Sequence, residues 1–313
     1  MSVYTTIDND TVQKLLLDYS LGSLVDIRGI TGGIENSNYF LITSTHRCVL
    51  TIIEQFPLSE CDWFIKLNNH LQEHKFLAPK YYHNNKNQAI SSYHGKALVI
   101  SERISGASID HPELMHIMQV AIALAKFHNA TQSFLLTRQD SRSTVWREQC
   151  IAKLHVVIPK SEFKLIQEEH TYQATKQTQL PQGIIHSDLF KDNVLFHENK
   201  LNGIIDYYYA CHASLIYDLA VAINDWCVVE NQYKTHLVQI FISSYEQHRK
   251  LQNSEFNSLP DMLRLAALRF WISRLMDFNF PKPGLLLQNH DPDQMKAILL
   301  QARLQTLSTL GLV

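Results

Sequence analysis

The chain has 313 residues, 45% of them apolar, which is enough to bury one large core or two smaller ones. A formal net charge of −2 and a pI near 6.8 give no basic footprint for nucleic acid or an anionic membrane surface. Five scattered cysteines without a C-x-x-C pair argue against a disulfide framework or a zinc site and indicate a reducing compartment. No signal-peptide pattern and no apolar run of about 18 residues is visible, so a cytoplasmic protein is expected.

The first hundred residues have the pattern of strands around one long helix. A short helix is predicted over residues 7–19, where apolar residues recur at helical spacing after an Asp or Thr cap. A β-hairpin with Gly29 near its tip follows, and two short strands are expected near "AISSYHG" and "KALVISERI". Between them, "SECDWFIKLNNHLQEHKF" has helical spacing, with Ser59 as the candidate cap. These elements predict a small antiparallel sheet packed on a helix.

The remainder of the chain is predicted to be mainly helical. Helical patterns cover "HPELMHIMQVAIALAKFHNA", residues 145–180, and everything from "SLIYDLAVAINDWC" onward. They are interrupted by two short β runs in "NVLFHENKLNGIID", joined by a turn at Asn202–Gly203. Trp226 and Trp271 are expected in the core. A β-rich part before an α-rich part predicts an α+β protein of two lobes, residues 1–103 and 104–313.

The stretch "GIIHSDLFKDNVLF", residues 183–196, places polar residues at the spacing of a kinase catalytic loop. In that loop the aspartate, here Asp188, accepts the proton of the substrate hydroxyl, and an asparagine five residues later, here Asn193, binds a metal ion. Asp206 supplies a second carboxylate thirteen residues after Asn193, and oxygen ligands of this kind suit Mg²⁺. A polar turn between two strands is the alternative, but the joint spacing favours a catalytic loop.

The glycine-rich hairpin "TGGIENSNYF" is a weaker signal for nucleotide binding. It lacks G-x-G-x-x-G, so an ordinary tight turn is the alternative. Because a helix and a hinge-like "LVISERISG" follow it, its backbone N–H groups are candidates for cradling phosphates.

Several segments together resemble the aminoglycoside phosphotransferase/choline kinase-like family of small-molecule kinases. They are "GGIENSNYF", "VISERISG", "HSDLFKDN", "IIDYYYA" and "YDLAVAINDW", between about residues 25 and 230. Within that family the chain is most similar to the bacterial homoserine kinases of the second type. That similarity rests on Gly33–Phe40, Val49–Thr51, His186–Phe196, Asn224–Cys227 and Arg269–Leu275. The resemblance implies a protein-kinase-like two-lobed fold, ATP and Mg²⁺ as cofactors, and a small-molecule alcohol as the substrate.

The resemblance also implies roles for individual residues. Asp188 would be the catalytic base, Asn193 and Asp206 the Mg²⁺ ligands, and Asp218 the buried aspartate that holds the catalytic loop. His186 belongs to the catalytic loop and would brace it rather than react. The hinge that meets the adenine would be Ser101, Glu102, Arg103 and Ile104, and Gly32, Gly33, Ser37 and Asn38 would lie over the phosphates.

Two positions depart from the protein-kinase pattern. Thr51 stands where protein kinases have the third-strand lysine, although the homoserine kinase pattern shares this threonine. Phe190 replaces the lysine of the protein-kinase catalytic loop. Lys191 is a candidate for the missing charge, and a solvated loop lysine is the alternative.

Homoserine is a zwitterion, so its site needs a cation for the carboxylate and an acceptor for the ammonium group. The segment "LRLAALRFWISRL" offers Arg264, Arg269 and Arg274 on one helix. Arg269 and Arg274 are about 140° apart around the axis, so they are not expected to face one site together. Arg269 is favoured for the carboxylate because a planar guanidinium suits it, with Arg274 as the second candidate. Asp225 is the candidate for the ammonium group, and surface or interlobe arginines remain the alternative.

Three functions fit the sequence. The first is ATP-dependent phosphorylation of homoserine in threonine biosynthesis. The second is phosphorylation of another alcohol, such as choline or an aminoglycoside, which would call for more acidic residues near the C-terminal helices. The third is a nucleotide-binding pseudokinase, suggested by the missing lysine and opposed by the joint presence of Asp188, Asn193 and Asp206. The sequence does not indicate an oligomeric state.

Overall fold

The structure, a computed structural model, describes residues 4–30, 36–176, 179–281 and 290–313. It divides after Ser105 into two compact units. All five cysteines are free and buried, as expected for small apolar side chains. Within the described ranges, no helix is both long and apolar enough to cross a membrane.

The first unit is a five-stranded antiparallel sheet with two helices. Asp8 caps the first helix by accepting a 2.7 Å bond from the Thr11 N–H. The second helix begins after Pro57 without a side-chain cap, so Ser59 lies inside it and its predicted role as the cap was wrong. The strand order is β1-β2-β3-β5-β4. The elements are α1 (Asn9–Leu16), β1 (Leu24–Gly29), β2 (Ser37–Thr43), β3 (Arg47–Ile53), α2 (Leu58–Glu73), β4 (Ile90–Tyr93) and β5 (Lys96–Glu102).

Side-chain alternation along the strands gives this sheet one apolar face and one mixed face. On the apolar face, Leu41, Leu50 and Ile100 pack with Val12 and Leu16 of α1. On the other face, Asn38 and Thr51 are paired directly across β2 and β3. The register therefore brings these two polar side chains together.

The second unit is mainly helical, as predicted. α8 is its longest helix and packs against α6 and α9. Trp226 and Trp271 are fully buried, which confirms their place in the core. The helices are α3 (Leu114–Ala130), α4 (Thr144–Leu154), α5 (Lys160–Ala174), α6 (Leu215–Trp226), α7 (Thr235–Glu246), α8 (Asn253–Asn279) and α9 (Pro292–Ala302).

Short antiparallel pairs carry the loops of the second unit. The pairs are β6 (Gln182–Ile185) with β9 (Cys211–Ser214), β7 (Val194–His197) with β8 (Lys200–Ile204), and β10 (Val228–Val229) with β11 (Gln232–Tyr233). The β7–β8 turn lies at Glu198–Asn199, where both φ angles are positive, so the predicted turn at Asn202–Gly203 was wrong. β9 was not predicted, and the β10–β11 pair interrupts a region predicted to be helical throughout.

Candidate active site

The loop from His186 to Asn193 leaves β6 and is held at its start by one buried carboxylate. Asp218, on α6, has no exposed surface, and its Oδ2 and Oδ1 accept the backbone N–H groups of His186 at 2.7 Å and Ser187 at 2.8 Å. Hydrogen bonds to a charged acceptor are stronger than those between neutral groups. The carboxylate therefore fixes the backbone immediately before Asp188.

A series of hydrogen bonds from Arg249 through Tyr245 and His128 ends at Asp218. Arg249 can only donate, so its 3.1 Å bond to the Tyr245 hydroxyl leaves that hydroxyl to donate to Nδ1 of His128 at 2.6 Å. His128 then donates from Nε2 to Asp218 Oδ2 at 3.0 Å. Burial lowers the pKa of His128, which keeps the ring neutral in this arrangement. Glu255 completes the chain by accepting from Arg249 at 2.8 Å.

Asp188 and Asn193 are joined across the loop. The Nδ2 group of Asn193 donates to the Asp188 carbonyl at 2.8 Å and to Asp188 Oδ2 at 3.3 Å. Asp188 keeps 21% of its side chain exposed, whereas the surrounding residues are largely buried. This exposure leaves the carboxylate accessible to a substrate.

The hairpin β7–β8 returns the chain to Asn193, one residue before Asp206. The carbonyl of Asn193 accepts the Ile205 N–H at 3.0 Å, and the Ile205 carbonyl accepts Nε2–H of His186 at 3.0 Å. Asp206 itself adopts a left-handed backbone with φ 66°, and Ser187 does so with φ 67°. Such conformations cost about 1–3 kcal/mol in residues other than glycine and concentrate at functional sites.

His186, one of the predicted catalytic residues, is enclosed within the protein. Its ring is 1% exposed, and burial lowers its pKa. The 3.0 Å bond from its Nε2–H to the Ile205 carbonyl agrees with the bracing role expected for His186, since Ile205 directly precedes Asp206.

The donor set at Asn193 and Asp206 fits a hard divalent cation. The Nδ2 group of Asn193 donates to Asp188, so its Oδ1 points away from Asp188. Among the residues that the structure describes, no group donates a hydrogen bond to this Oδ1. Asp206 adds a carboxylate, and it directly follows Ile205, whose N–H donates to the Asn193 carbonyl. In the described ranges no cluster of three or more His, Cys, Asp or Glu residues could hold a metal alone. Such a cluster is not required, because Mg²⁺ commonly takes one or two protein oxygens together with nucleotide phosphates.

The three arginines of α8 have different partners. Arg269 is 3% exposed, and its Nη1 lies 3.7 Å from Asp188 Oδ1. Arg264 forms a two-bond ion pair with Glu169, at 2.8 and 2.6 Å, which makes it a structural residue. Arg274 donates from Nη1 to the Asp291 carbonyl and to Gln294 Oε1, at the start of α9. Of the two predicted substrate arginines, the geometry thus favours Arg269 over Arg274.

Lys191 and Asp225 form a second polar pair. Asp225 Oδ2 accepts the Lys191 backbone N–H at 2.7 Å, and the Lys191 Nζ lies 4.0 Å from Oδ1. Burial raises the pKa of Asp225 to about 6, and the charge of Lys191 partly opposes this rise. The ammonium group of Lys191 is therefore shared with Asp225.

The predicted phosphate-contacting residues of the first unit behave differently from one another. Gly32 and Gly33 lie outside the described residues. Ser37 is fully buried, and its hydroxyl accepts the Tyr4 and Thr5 N–H groups while donating to Glu54. The donor and both acceptor positions of that hydroxyl are therefore occupied within the protein, so the hydroxyl itself is not available to a phosphate.

Asn38 remains a candidate donor because of Thr51. The Thr51 hydroxyl donates to Asn38 Oδ1 at 2.7 Å, so the amide is oriented with its Nδ2 group away from Thr51. Thr51, expected at the position of the protein-kinase lysine, thus orients the Asn38 amide through a neutral hydrogen bond.

The predicted hinge spans the end of β5, with Ser101 and Glu102 inside the strand and Arg103 and Ile104 after it. The N–H of Glu102 donates to the Lys80 carbonyl at 2.8 Å, and that of Arg103 to the Arg47 carbonyl at 3.2 Å. In the described ranges no backbone carbonyl accepts the Ile104 N–H. Ser101 lies within the strand, opposite Val49. Of the four residues of the predicted hinge, Ile104 is therefore the candidate whose backbone N–H could contact a base.

Sequence reasoning missed an arginine-rich group around Tyr209. Arg142 donates to the Tyr209 hydroxyl at 2.6 Å, and Arg138 donates to the carbonyls of Tyr208 and Ala210 at 3.2 and 3.0 Å. The available signal was "TRQDSRSTVWRE", which places three arginines within ten residues, two of them before the stretch 145–180 that was predicted to be helical. Nothing local in that segment indicates that it contacts residues about seventy positions later.

The chain is similar to known proteins over nearly its full length. A curated homoserine kinase from Methylobacillus flagellatus is 38% identical to this chain over 301 residues, which cover 96% of this chain and 94% of the relative. A second curated homoserine kinase, from Neisseria meningitidis serogroup B, is 35% identical, and the match covers 96% of this chain and 99% of the relative.

Among solved structures, amicoumacin kinase hAmiN in complex with AMP-PNP, Ca²⁺ and amicoumacin superposes with a TM-score of 0.72 at 15% identity, covering 95% of this chain and 92% of that one. Spectinomycin phosphotransferase with ADP and spectinomycin gives 0.70 at 14%, covering 96% and 99%. These two structures share the fold, an antiparallel sheet followed by a helical part. The pattern of the phosphotransferase enzyme family matches residues 26–251, and the chain belongs to that family.

Proposed function

We propose that the protein transfers the γ-phosphoryl group of ATP to the hydroxyl of L-homoserine, giving O-phospho-L-homoserine for threonine biosynthesis. The observation that carries the substrate assignment is the near full-length similarity to curated homoserine kinases. The accessible Asp188 beside the buried Arg269 supports it independently, because an acceptor of this kind needs a base and a cation in one place. The free thiols of all five cysteines fit a cytoplasmic location.

In this proposal Asp188 orients the substrate hydroxyl and accepts its proton as phosphoryl transfer proceeds. Such transfer depends mainly on positioning and on charge neutralisation, with little covalent chemistry by the protein. The bonds from Asp218 to the loop backbone, and from Asn193 to Asp188, hold the base at a fixed angle. Fixed geometry of this kind accounts for a large part of catalysis in related chemistry.

Asn193 and Asp206 would hold Mg²⁺. The ion, bound together with the nucleotide, would neutralise negative charge on the phosphate oxygens. The protein's own contribution is orientation, since Asp188 turns the Asn193 amide and His186 fixes the backbone before Asp206 through Ile205.

The remaining assignments follow the chemistry of each group. Asn38, oriented by Thr51, and the glycines at 32 and 33 would contact phosphates. Ile104, within the Ser101–Ile104 hinge, would contact the adenine. Asp225 would accept the substrate ammonium group, and Arg269 would receive its carboxylate.

The test is ADP release from Mg-ATP with homoserine, serine, choline or kanamycin, using the wild type and Asp188→Asn. Homoserine-dependent release that disappears in the variant is the expected result. Release with choline or kanamycin alone would refute homoserine as the substrate while retaining the phosphotransferase chemistry. Nucleotide binding without release for any alcohol would refute the activity and favour a pseudokinase.

A further inference from the structure

Arg269 is a buried cation for which the described residues supply no hydrogen bond. Its Nε is completely buried without a partner, and the 3.7 Å contact with Asp188 is too long to be a hydrogen bond. The guanidinium carbon lies 3.8 Å from the centre of the Phe270 ring and 5.3 Å from that of Tyr209. A buried charge with unused donors is unfavourable unless an anion satisfies it. This geometry indicates that an anion belongs beside Arg269.

A second guanidinium lies against the same tyrosine. Arg142 donates from Nη2 to the Tyr209 hydroxyl at 2.6 Å, and its guanidinium carbon is 4.9 Å from the ring centre. Arg138 fixes the backbone on both sides of the ring through the Tyr208 and Ala210 carbonyls. Hydrogen bonds from Arg138 and Arg142 thus fix Tyr209, and the guanidinium groups of Arg142 and Arg269 both lie near its ring.

A third arginine braces the segment that carries Arg142. Arg147 is 8% exposed and donates to the Arg142 carbonyl at 3.3 Å and to Thr144 Oγ1 at 2.8 Å, so it braces the loop that carries Arg142. Burial lowers the pKa of Arg147; Tyr217, Asp140 and Glu148 oppose this shift, and the charge of Arg269 adds a smaller lowering contribution. Arg147 therefore contributes to this group by fixing the backbone that carries Arg142.

We propose that Arg142 and Arg269, set against the Tyr209 ring, form the recognition site for the carboxylate of the acceptor alcohol. This inference deepens the proposed function, because it takes Asp188 as the group that receives the acceptor hydroxyl. In an extended 2-amino-4-hydroxy acid the hydroxyl oxygen and the carboxyl carbon are about 5 Å apart at ordinary bond lengths. Arg269, whose Nη1 is 3.7 Å from Asp188 Oδ1, is therefore within reach of the carboxylate when the hydroxyl is on Asp188. The substrate class follows as short alcohols with a carboxylate, and amino alcohols without one are rejected.

The first measurement compares kcat and KM for homoserine among the wild type, Arg142→Gln, Arg142→Lys and Arg269→Gln. Loss of a charged hydrogen bond should lower kcat/KM by about 10- to 100-fold, mainly through KM, with partial rescue by lysine and no change in KM for ATP. Arg303→Gln is the matched control. Arg303 is a partly exposed arginine of the same unit that pairs with Glu168 and Glu169.

The second measurement uses L-2-aminobutyrate, which keeps the carboxylate of homoserine and lacks its hydroxyl, as a competitive inhibitor. Its inhibition constant should rise by about 10- to 100-fold in both glutamine variants. An unchanged inhibition constant with a lowered kcat would overturn the proposal, because it would place the arginines on the transferring phosphoryl group. If Arg269→Gln does not fold, Arg142→Gln, which is only partly buried, decides the test alone.

The acceptor panel separates this inference from the proposed function. If the wild type ignores homoserine but phosphorylates serine, homoserine is refuted while the carboxylate site is tested with serine in the same variants. If the wild type phosphorylates only alcohols without a carboxylate, both statements are wrong.

Discussion

Replacing Asp218 by asparagine would test whether the catalytic loop is held by charge. The carboxylate accepts three hydrogen bonds, two on Oδ2 from His186 N and His128 Nε2 and one on Oδ1 from Ser187 N. An asparagine that keeps the Oδ2 bonds must turn its Nδ2 group toward the Ser187 N–H, so two donors face each other. A hydrogen bond to a charged group contributes about 1.5–3 kcal/mol, and the other two bonds become neutral and weaker. We therefore expect the free energy of unfolding to fall by about 3 kcal/mol.

The same change should lower kcat by about 10²-fold, because small displacements of a catalytic group are that costly. ADP release measures kcat, and urea unfolding measures stability. Glu169→Gln is the control, since Glu169 is equally buried, pairs with Arg264 and makes no contact with the loop within the described residues. A fall in kcat no larger than that of the control would refute the role of Asp218.

Three further predictions concern the base, the ammonium site and acid stability. Asp188→Asn should lower kcat by about 10²–10⁴-fold without changing KM for ATP, and an unchanged kcat would remove Asp188 from catalysis. Because burial raises the pKa of Asp225 to about 6, KM for homoserine should rise as the pH falls through 6, and Asp225→Asn should abolish this dependence. Burial lowers the pKa values of His128 and His186, so the unfolded state binds more protons below pH 6.5 and the free energy of unfolding should fall there. Urea unfolding at about pH 8 and pH 5.5 measures this decrease in the free energy of unfolding. The measurement uses the Asp225→Asn variant, because Asp225 contributes a change of opposite sign. Equal stabilities at the two pH values would contradict the prediction.

The sequence by itself indicated most of the helices and strands and the loop from His186 to Asn193 that is proposed to be catalytic. Periodicity was sufficient for the sheet of the first unit and the long helices, because a face buried along one element leaves a repeating pattern. The spacing from His186 to Asn193 was equally visible, since a tight loop fixes its own side chains. Spacing alone placed Asp206 within reach of Asn193, although the turn between them was put at the wrong residues. Local signals failed there because Glu198 and Asn199 adopt positive φ without glycine, while Gly203 lies inside β8.

Only the tertiary structure decided what each polar side chain can do. Ser37 was predicted to lie over the phosphates, but its hydroxyl is occupied by the Tyr4 and Thr5 N–H groups and by Glu54. Asp218 and His128 are ninety residues apart, and Arg142 is sixty-seven from Tyr209, yet each pair shares a hydrogen bond. The choice between Arg269 and Arg274 likewise depended on which side of α8 met Asp188. A side chain's chemistry is set by its burial and its partners, and partners so distant along the chain leave no periodic trace in the sequence.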